Sequence, residues 1–519
     1  PFGDQVDVLL TGLEQYGYAG SVLVAEDGHI TLNEGYGLAN REHSRPNAAD
    51  TVYDIGSITK LFTQTAILKM EMEGLLKTED PISQYLVETP PDKADITIQQ
   101  ILEMRGGFAE YHDDTGDFQL MTRDQALRRI LNTPLVAVPG TEDLYSNSGY
   151  TLLAILIEVV SGKSYQDYVR QTILEPLGME STGFVGEDLP NLAYTRNSYD
   201  GYGTPAGWPY SWVLVGNGGM VATTEDLYRF AQAVIGDEFL SEAVKAKSVF
   251  ASGYGLAAGG GSDTDFSAAI FYDVTSGSVF VSLSNQVLYS GEAVALTLYD
   301  MLDGADVPVP PDVVDSAVEP NSVAGTYIRD GDTLQVSAEG EGVRVDATSQ
   351  AGIDVLLGSE DDELVALSEL TLQIQADIRA GDYTLMQAAL GGDLSLEQVQ
   401  AEEGAFWERL VSNNGAFQSI DILGTAPSDS LYSFSTTFRL NFEQGSVYIR
   451  WVWEDGTIAD IRVSNEPLMG YSLTFLPTGE QTFAAYRLGE PYLTTLTFDA
   501  VGNLTVSARD KEAQFEKMG

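Results

Sequence analysis

The sequence predicts an α+β protein in two parts, and three observations carry that expectation. Strand patterns open and close the first 305 residues, with helical patterns between them. Four prolines, Pro308, Pro310, Pro311 and Pro320, then crowd one short stretch. Strand and turn patterns dominate the remainder of the chain. At 519 residues the chain is long enough for more than one hydrophobic core. The expected organisation is a domain over 1–305, a Pro-rich linker over 306–321 and a β-rich region over 322–519.

In chain order, a helix first precedes Gly20. Residues 21–25 and 29–32 flank Glu26-Asp27-Gly28, a hairpin signal because Asp-Gly tolerates positive φ. From Ser57 to about Ile235 the pattern is mostly helical, broken by Gly and Pro loops. Residues 268–272 and 279–283 read as strands around Thr275-Ser276-Gly277, and a last helix spans 291–302. The sheet of this domain should therefore be closed by its two ends. Beyond the prolines, 333–336 and 343–345 alternate like half-buried strands. Residues 364–380 and 395–411 read as amphipathic helices; 436–440, 447–453, 458–463 and 492–498 read as strands. No repeat of fixed period is present.

Composition excludes several functions. Asp and Glu number 77 against 27 Lys and Arg, a net charge of −50. A phosphate backbone requires clustered Lys and Arg, so nucleic acid is excluded as a partner, and an anionic membrane surface is disfavoured for the same reason. The longest apolar run, 152–160, is far short of the roughly 20 residues that span a bilayer. The absence of cysteine excludes disulfides, thiolate nucleophiles and cysteine-zinc sites. His29, His43 and His112 lie far apart, and no metal-ligand spacing joins them. His29 follows a turn and His43 sits in a polar loop, whereas His112 could border a cleft. The chain begins at Pro1 without a signal-peptide pattern, which suits a trimmed mature chain or a truncated one.

Two short motifs carry chemistry. Ser57-Ile58-Thr59-Lys60 opens an apolar, helix-like run. Positions i and i+3 share a helix face, so the hydroxyl and the amine can meet, a nucleophile beside a proton acceptor. The helix amino end also presents N–H groups to developing negative charge. Tyr145-Ser146-Asn147 is the second motif: a phenol near Lys60 could relay the serine proton, and the Asn147 amide could orient a substrate carbonyl.

Through these motifs the first 305 residues resemble the serine β-lactamase and penicillin-binding superfamily, most of all its class C and esterase-like branch. The resemblance includes Gly35-Tyr36-Gly37-Leu38-Ala39-Asn40 and is densest from Pro139-Gly140-Thr141-Glu142 to Tyr150. It continues in Glu175-Pro176-Leu177-Gly178-Met179 and from Gly218-Gly219-Met220 to Leu227. It implies an antiparallel sheet flanked by a helical region. It also implies Ser57 as nucleophile, Lys60 as its activator and Tyr145 as general base and acid. An acyl-enzyme would form and be released by water, with no metal and no organic cofactor. The third family motif is matched best by Gly259-Gly260-Gly261 before Ser262, whose leading cation is missing. By resemblance the N–H groups of Ser57 and Ser262 would form the oxyanion hole. Asp263 and Asp265 follow instead, either as solvated loop carboxylates or as cleft groups that repel a substrate carboxylate and favour a neutral ester or a free amine. Weak or absent β-lactamase activity is expected.

The C-terminal region resembles the lipocalin-like barrels appended to some esterase and D-aminopeptidase relatives, through Val323-Ala324-Gly325-Thr326-Tyr327. Residues 364–465 instead resemble a cystatin-like or nuclear-transport-factor-like cone, which could be inserted within such a barrel. This region could cap the active site, mediate oligomers or bind a ligand. The expected function is a serine hydrolase acting on a small-molecule ester, amide or peptide. A DD-peptidase or β-lactamase and a non-catalytic binding protein on a decayed hydrolase fold are the alternatives. An extracytoplasmic location, periplasmic or secreted, in a bacterium or archaeon is expected, and a cytoplasmic one stays open.

The acidity has two readings: solubility, or adaptation to high salt, where screening relieves self-repulsion. Thermal melts separate them. Equal midpoints in low and high salt fit solubility alone, and a midpoint that rises with salt fits adaptation.

Overall fold

The computed structural model describes all residues except 1, 111–115, 196–202, 237, 248–253, 261–264, 274–275, 287–288, 359–360, 392–393, 429–432, 455, 491 and 519. It divides into two compact units, Pro1–Asp306 and Val307–Gly519.

The first unit is built on a five-stranded antiparallel sheet. Its order is His29–Tyr36, Gly20–Glu26, Ser278–Ser284, Ser267–Asp273 and Tyr254–Gly260. The first two strands turn at Asp27 (φ 49°) and Gly28 (φ 76°), which a hairpin of this twist needs. Gly20 then pairs with Ser284, so the start and end of the domain are stitched together at the sheet centre. The central strand Ser278–Ser284 is buried throughout, which explains why Val279, Phe280 and Val281 are apolar in succession instead of alternating with polar residues. On one face Phe280 stacks on Phe271, and Phe2 and Tyr299, from helices Phe2–Gln15 and Gly291–Leu302, pack on that pair. On the other face Val279, Val281, Ile270 and Tyr272 join the main core, together with Phe62 and Leu153. Helix Thr59–Met72 lies within that core, and its Phe62 stacks on Phe230 of helix Thr224–Ile235.

The second unit contains a closed barrel of eight antiparallel strands. Three strands (Gly325–Arg329, Asp332–Glu339, Gly342–Ala347) precede a long excursion; five come after it, starting at Tyr471–Pro477 and ending at Lys511–Lys517. The last strand closes on the first through Tyr327 and Lys517. Alternate residues such as Leu334, Val336, Val343, Val345, Leu496 and Phe498 fill the interior. The excursion carries helices Asp362–Ala380 and Leu396–Asn414 and a four-stranded antiparallel sheet from Phe417 to Ser464. That sheet has a separate core around Phe438, Leu440, Ile449, Trp451 and Trp453.

The proline segment differs from a free linker. Within the second unit, Val314 N–H donates to the Pro477 carbonyl and Ala317 N–H to that of Glu480, while the Tyr486 hydroxyl donates to the Pro308 carbonyl. Proline holds the segment extended, and the intervening N–H groups find barrel carbonyls. Among the described residues, no helix is long and apolar enough to cross a membrane.

Phe280 packs against Phe2 of the first helix and stacks on Phe271, which in turn meets Tyr299 of helix Gly291–Leu302. Phe280→Ala should destabilise the protein by about 3–5 kcal/mol in urea unfolding.

Candidate active site

The backbone before Ser57 is set by a small three-stranded sheet in which Tyr53–Asp54 pairs with Met220–Ala222, itself paired with Gly183–Phe184. Ile55 N–H donates to the Met220 carbonyl at 3.1 Å, and Met220 N–H to Thr59 Oγ1 at 3.2 Å. Gly56 then turns with φ 45°, a left-handed conformation that strains any side-chain-bearing residue. Its N–H donates to the buried Asp54 carboxylate at 3.2 Å. Ser57 lies in the resulting 3₁₀ turn, Gly56–Ile58, which runs directly into helix Thr59–Met72.

Three of the expected residues converge. Lys60 Nζ donates to Ser57 Oγ at 3.0 Å, and the Tyr145 hydroxyl lies 2.5 Å from the same oxygen. The ammonium site is 4.7 Å from the centre of the Tyr145 ring. Lys60 is 5% exposed, whereas Tyr145 is 53% exposed, so the amine is dry while the phenol stands at the mouth. Burial pulls the Lys60 pKa down to about 7, against the opposing pull of Glu110 and Asp117, which favour its charged form. Desolvation pushes the Tyr145 phenol up, the hydrogen bond to Ser57 opposes this, and Glu110 adds to the rise. At neutral pH the amine is therefore partly free to accept a proton while the phenol keeps its own.

The other expected residues divide. Asn147 is the first residue of helix Asn147–Ser161, capped by the Ser146 hydroxyl, and its backbone N–H donates to Glu110 Oε2 at 2.6 Å. Gly259 and Gly260 end the edge strand, paired with Ala268 and Ser267, and the turn that carries Ser57 packs against this strand. Gly261, Ser262, Asp263 and His112 lie outside the described residues. Asp265 is half-buried at φ 57°, with one carboxylate oxygen enclosed and without a hydrogen-bond partner. His29 and His43 are exposed. Trp208 is buried edge-on against Phe118 and Phe266. Arg105 donates to the Gly140 carbonyl and pairs with Asp143 at 3.3 Å, so it ties down the loop before Tyr145.

Two contributors leave no signal in the sequence motifs. The Asn217 carbonyl accepts from Lys60 Nζ at 2.8 Å. Its side chain is buried and donates to Thr151 Oγ1 and the Val213 carbonyl, both at 2.7 Å, which pins that carbonyl. Next to it Gly216 (φ 83°) leaves no room for a Cβ, which would lie 2.5 Å from that of Ala154. Glu110 is the second: it holds the Asn147 N–H and acts electrostatically on both Lys60 and Tyr145.

This geometry has relatives. The Beta-lactamase family model matches residues 8–300. The chain belongs to the beta-lactamase family. Among curated relatives, PbpX of Bacillus subtilis (strain 168) is 31% identical over 233 residues, which is 44% of this chain and 58% of PbpX. Penicillin-binding protein 4* of the same organism is 26% identical over 400 residues, covering 67% of this chain and 88% of that protein. Among solved structures, the octameric penicillin-binding protein homologue of Pyrococcus abyssi matches with TM-score 0.52 at 18% identity. That match covers 99% of both chains, so the fold of both units has a solved counterpart.

Lysine-selective NMR should find Lys60 titrating near pH 7. Glu110→Gln removes a carboxylate that favours the ammonium, so it should lower that midpoint; an upward shift would contradict the assignment.

Proposed function

We propose that this protein is a serine hydrolase that cleaves an ester or a small amide or peptide bond through a Ser57 acyl-enzyme, with weak or no β-lactamase activity. One observation carries the reading: Ser57 Oγ lies between a buried amine at 3.0 Å and a phenol at 2.5 Å. Uncharged Lys60 takes the Ser57 proton as Oγ attacks the substrate carbonyl carbon. Negative charge then builds on the carbonyl oxygen at the amino end of the helix, where N–H groups oppose it. Tyr145 gives its proton to the leaving group and recovers one from the Lys60 ammonium. In the second half the same groups deprotonate a water, which attacks the acyl carbon and frees Ser57. The resemblance gives Tyr145 both acid and base roles; the protonation states favour Lys60 as the first acceptor and Tyr145 as donor.

The charges that act on Lys60 are the carboxylates Glu110 and Asp117. They disfavour a carboxylate-bearing substrate such as a penicillin or a peptide C-terminus, and favour a neutral ester or a substrate with a free amine. The relatives named penicillin-binding proteins support the second reading, a DD-peptidase or β-lactamase.

Mass analysis of the Ser57 peptide after treatment with a fluorophosphonate or a penicillin separates the readings. Labelling by the first alone is expected, labelling by both supports the second reading, and labelling by neither with the fold intact leaves a binding protein. Rapid turnover of a chromogenic cephalosporin would overturn the predicted weak β-lactamase activity. Ser57→Ala should abolish labelling, and Lys60→Ala should slow it by about 10²–10⁴-fold. The labelling rate should rise with pH through about 7, because the proton acceptor is the uncharged form of Lys60.

A further inference from the structure

A cavity of about 280 Å³ lies within the excursion of the second unit, between helices Asp362–Ala380 and Leu396–Asn414 and the four-stranded sheet. It is roughly twice the ~150 Å³ that encloses one benzene ring. Its walls are mostly apolar, with Trp407 and Trp451 among them, and this is the make-up of a small-molecule site. Three features mark it as more than a packing gap. Gln375, 5% exposed, supplies a polar side chain to this lining. A carboxamide in an otherwise apolar wall offers one oriented polar contact to a ligand. Two carboxylates, Glu402 and Glu403, line the cavity against one guanidinium, Arg409, which lies over the Phe406 ring at 5.9 Å. Aromatic faces beside carboxylates also suit a cation better than an anion.

We propose that this cavity binds a small organic amine whose apolar body is about the size of one substituted ring. Its ammonium is held by Glu403 and Glu402, its body lies among Trp407, Trp451 and Leu440, and the Gln375 carbonyl accepts one of its N–H groups. Burial raises the Glu403 carboxyl above its ordinary range and Glu402 raises it further, a like-charge repulsion that a bound cation relieves. The site is independent of Ser57 and does not rest on the hydrolase reading.

The test uses the full chain and phenethylamine, which has no acyl bond to cleave, with 3-phenylpropionate as its anionic counterpart. Calorimetry and tryptophan fluorescence should show saturable binding of the amine and none of the acid. Glu403→Gln and Gln375→Leu, each checked by circular dichroism, should each weaken binding by about tenfold. Both should leave fluorophosphonate labelling of Ser57 at the wild-type level. No saturation by the amine below about 10 mM would overturn the proposal. So would equal binding of amine and acid, or amine affinity unchanged in both variants, which would place the amine elsewhere.

Discussion

The first unit is organised around one requirement: an amine must be kept dry without being left unpaired. Lys60 meets it by donating to Ser57 Oγ and to the Asn217 carbonyl. Water would restore the charge and make the group useless as a base. The aromatic ring of Tyr145 lies over it, and a helix buried on nearly every side carries it. This explains why so few residues of helix Thr59–Met72 reach the surface although Lys60, Thr63, Gln64 and Thr65 are polar.

The supports of that amine come from distant parts of the sequence. The strand that pairs beside Tyr53–Asp54 is Met220–Ala222, so the segment that fixes the Asn217 carbonyl also sets the backbone of the nucleophile turn. Thr63 and Thr151 donate to the carbonyls of Gly216 and Val215, which binds the same segment to two helices. A shift of the 213–220 segment therefore moves the proton acceptor and the nucleophile together. The rigidity lies in backbone hydrogen bonds and glycine geometry, and the side chains that do the chemistry inherit it.

Legibility in the sequence depends on the range of the signal. Ser57 and Lys60 are three residues apart in one turn-and-helix segment, a local spacing, and the hairpin at Asp27-Gly28 and helix Gly291–Leu302 are local too. The amphipathic patterns over 364–380 and 395–411 correspond to helices Asp362–Ala380 and Leu396–Asn414. Asn217 acts through its main chain and Glu110 through space, and neither leaves a mark in residue spacing. The linker reading of the prolines missed the barrel carbonyls that receive Val314 and Ala317, because composition reports stiffness and not destination. The late barrel strands are short; Thr482–Ala485 spans four residues and Leu504–Ala508 five, too few for alternation to stand out.

The excursion of the second unit leaves the barrel at Ala347 and returns at Tyr471, and these two residues face each other across one ladder. Everything between them occupies the place of a hairpin turn. Its first helix, Gln350–Leu357, plugs the barrel with Ile353, Leu356 and Leu357. Gln350 then exchanges two hydrogen bonds with Thr425 on the first strand of the inserted sheet. A body inserted at a turn in this way leaves the pairing of the two flanking strands intact, so the closed cylinder needs no adjustment to carry it.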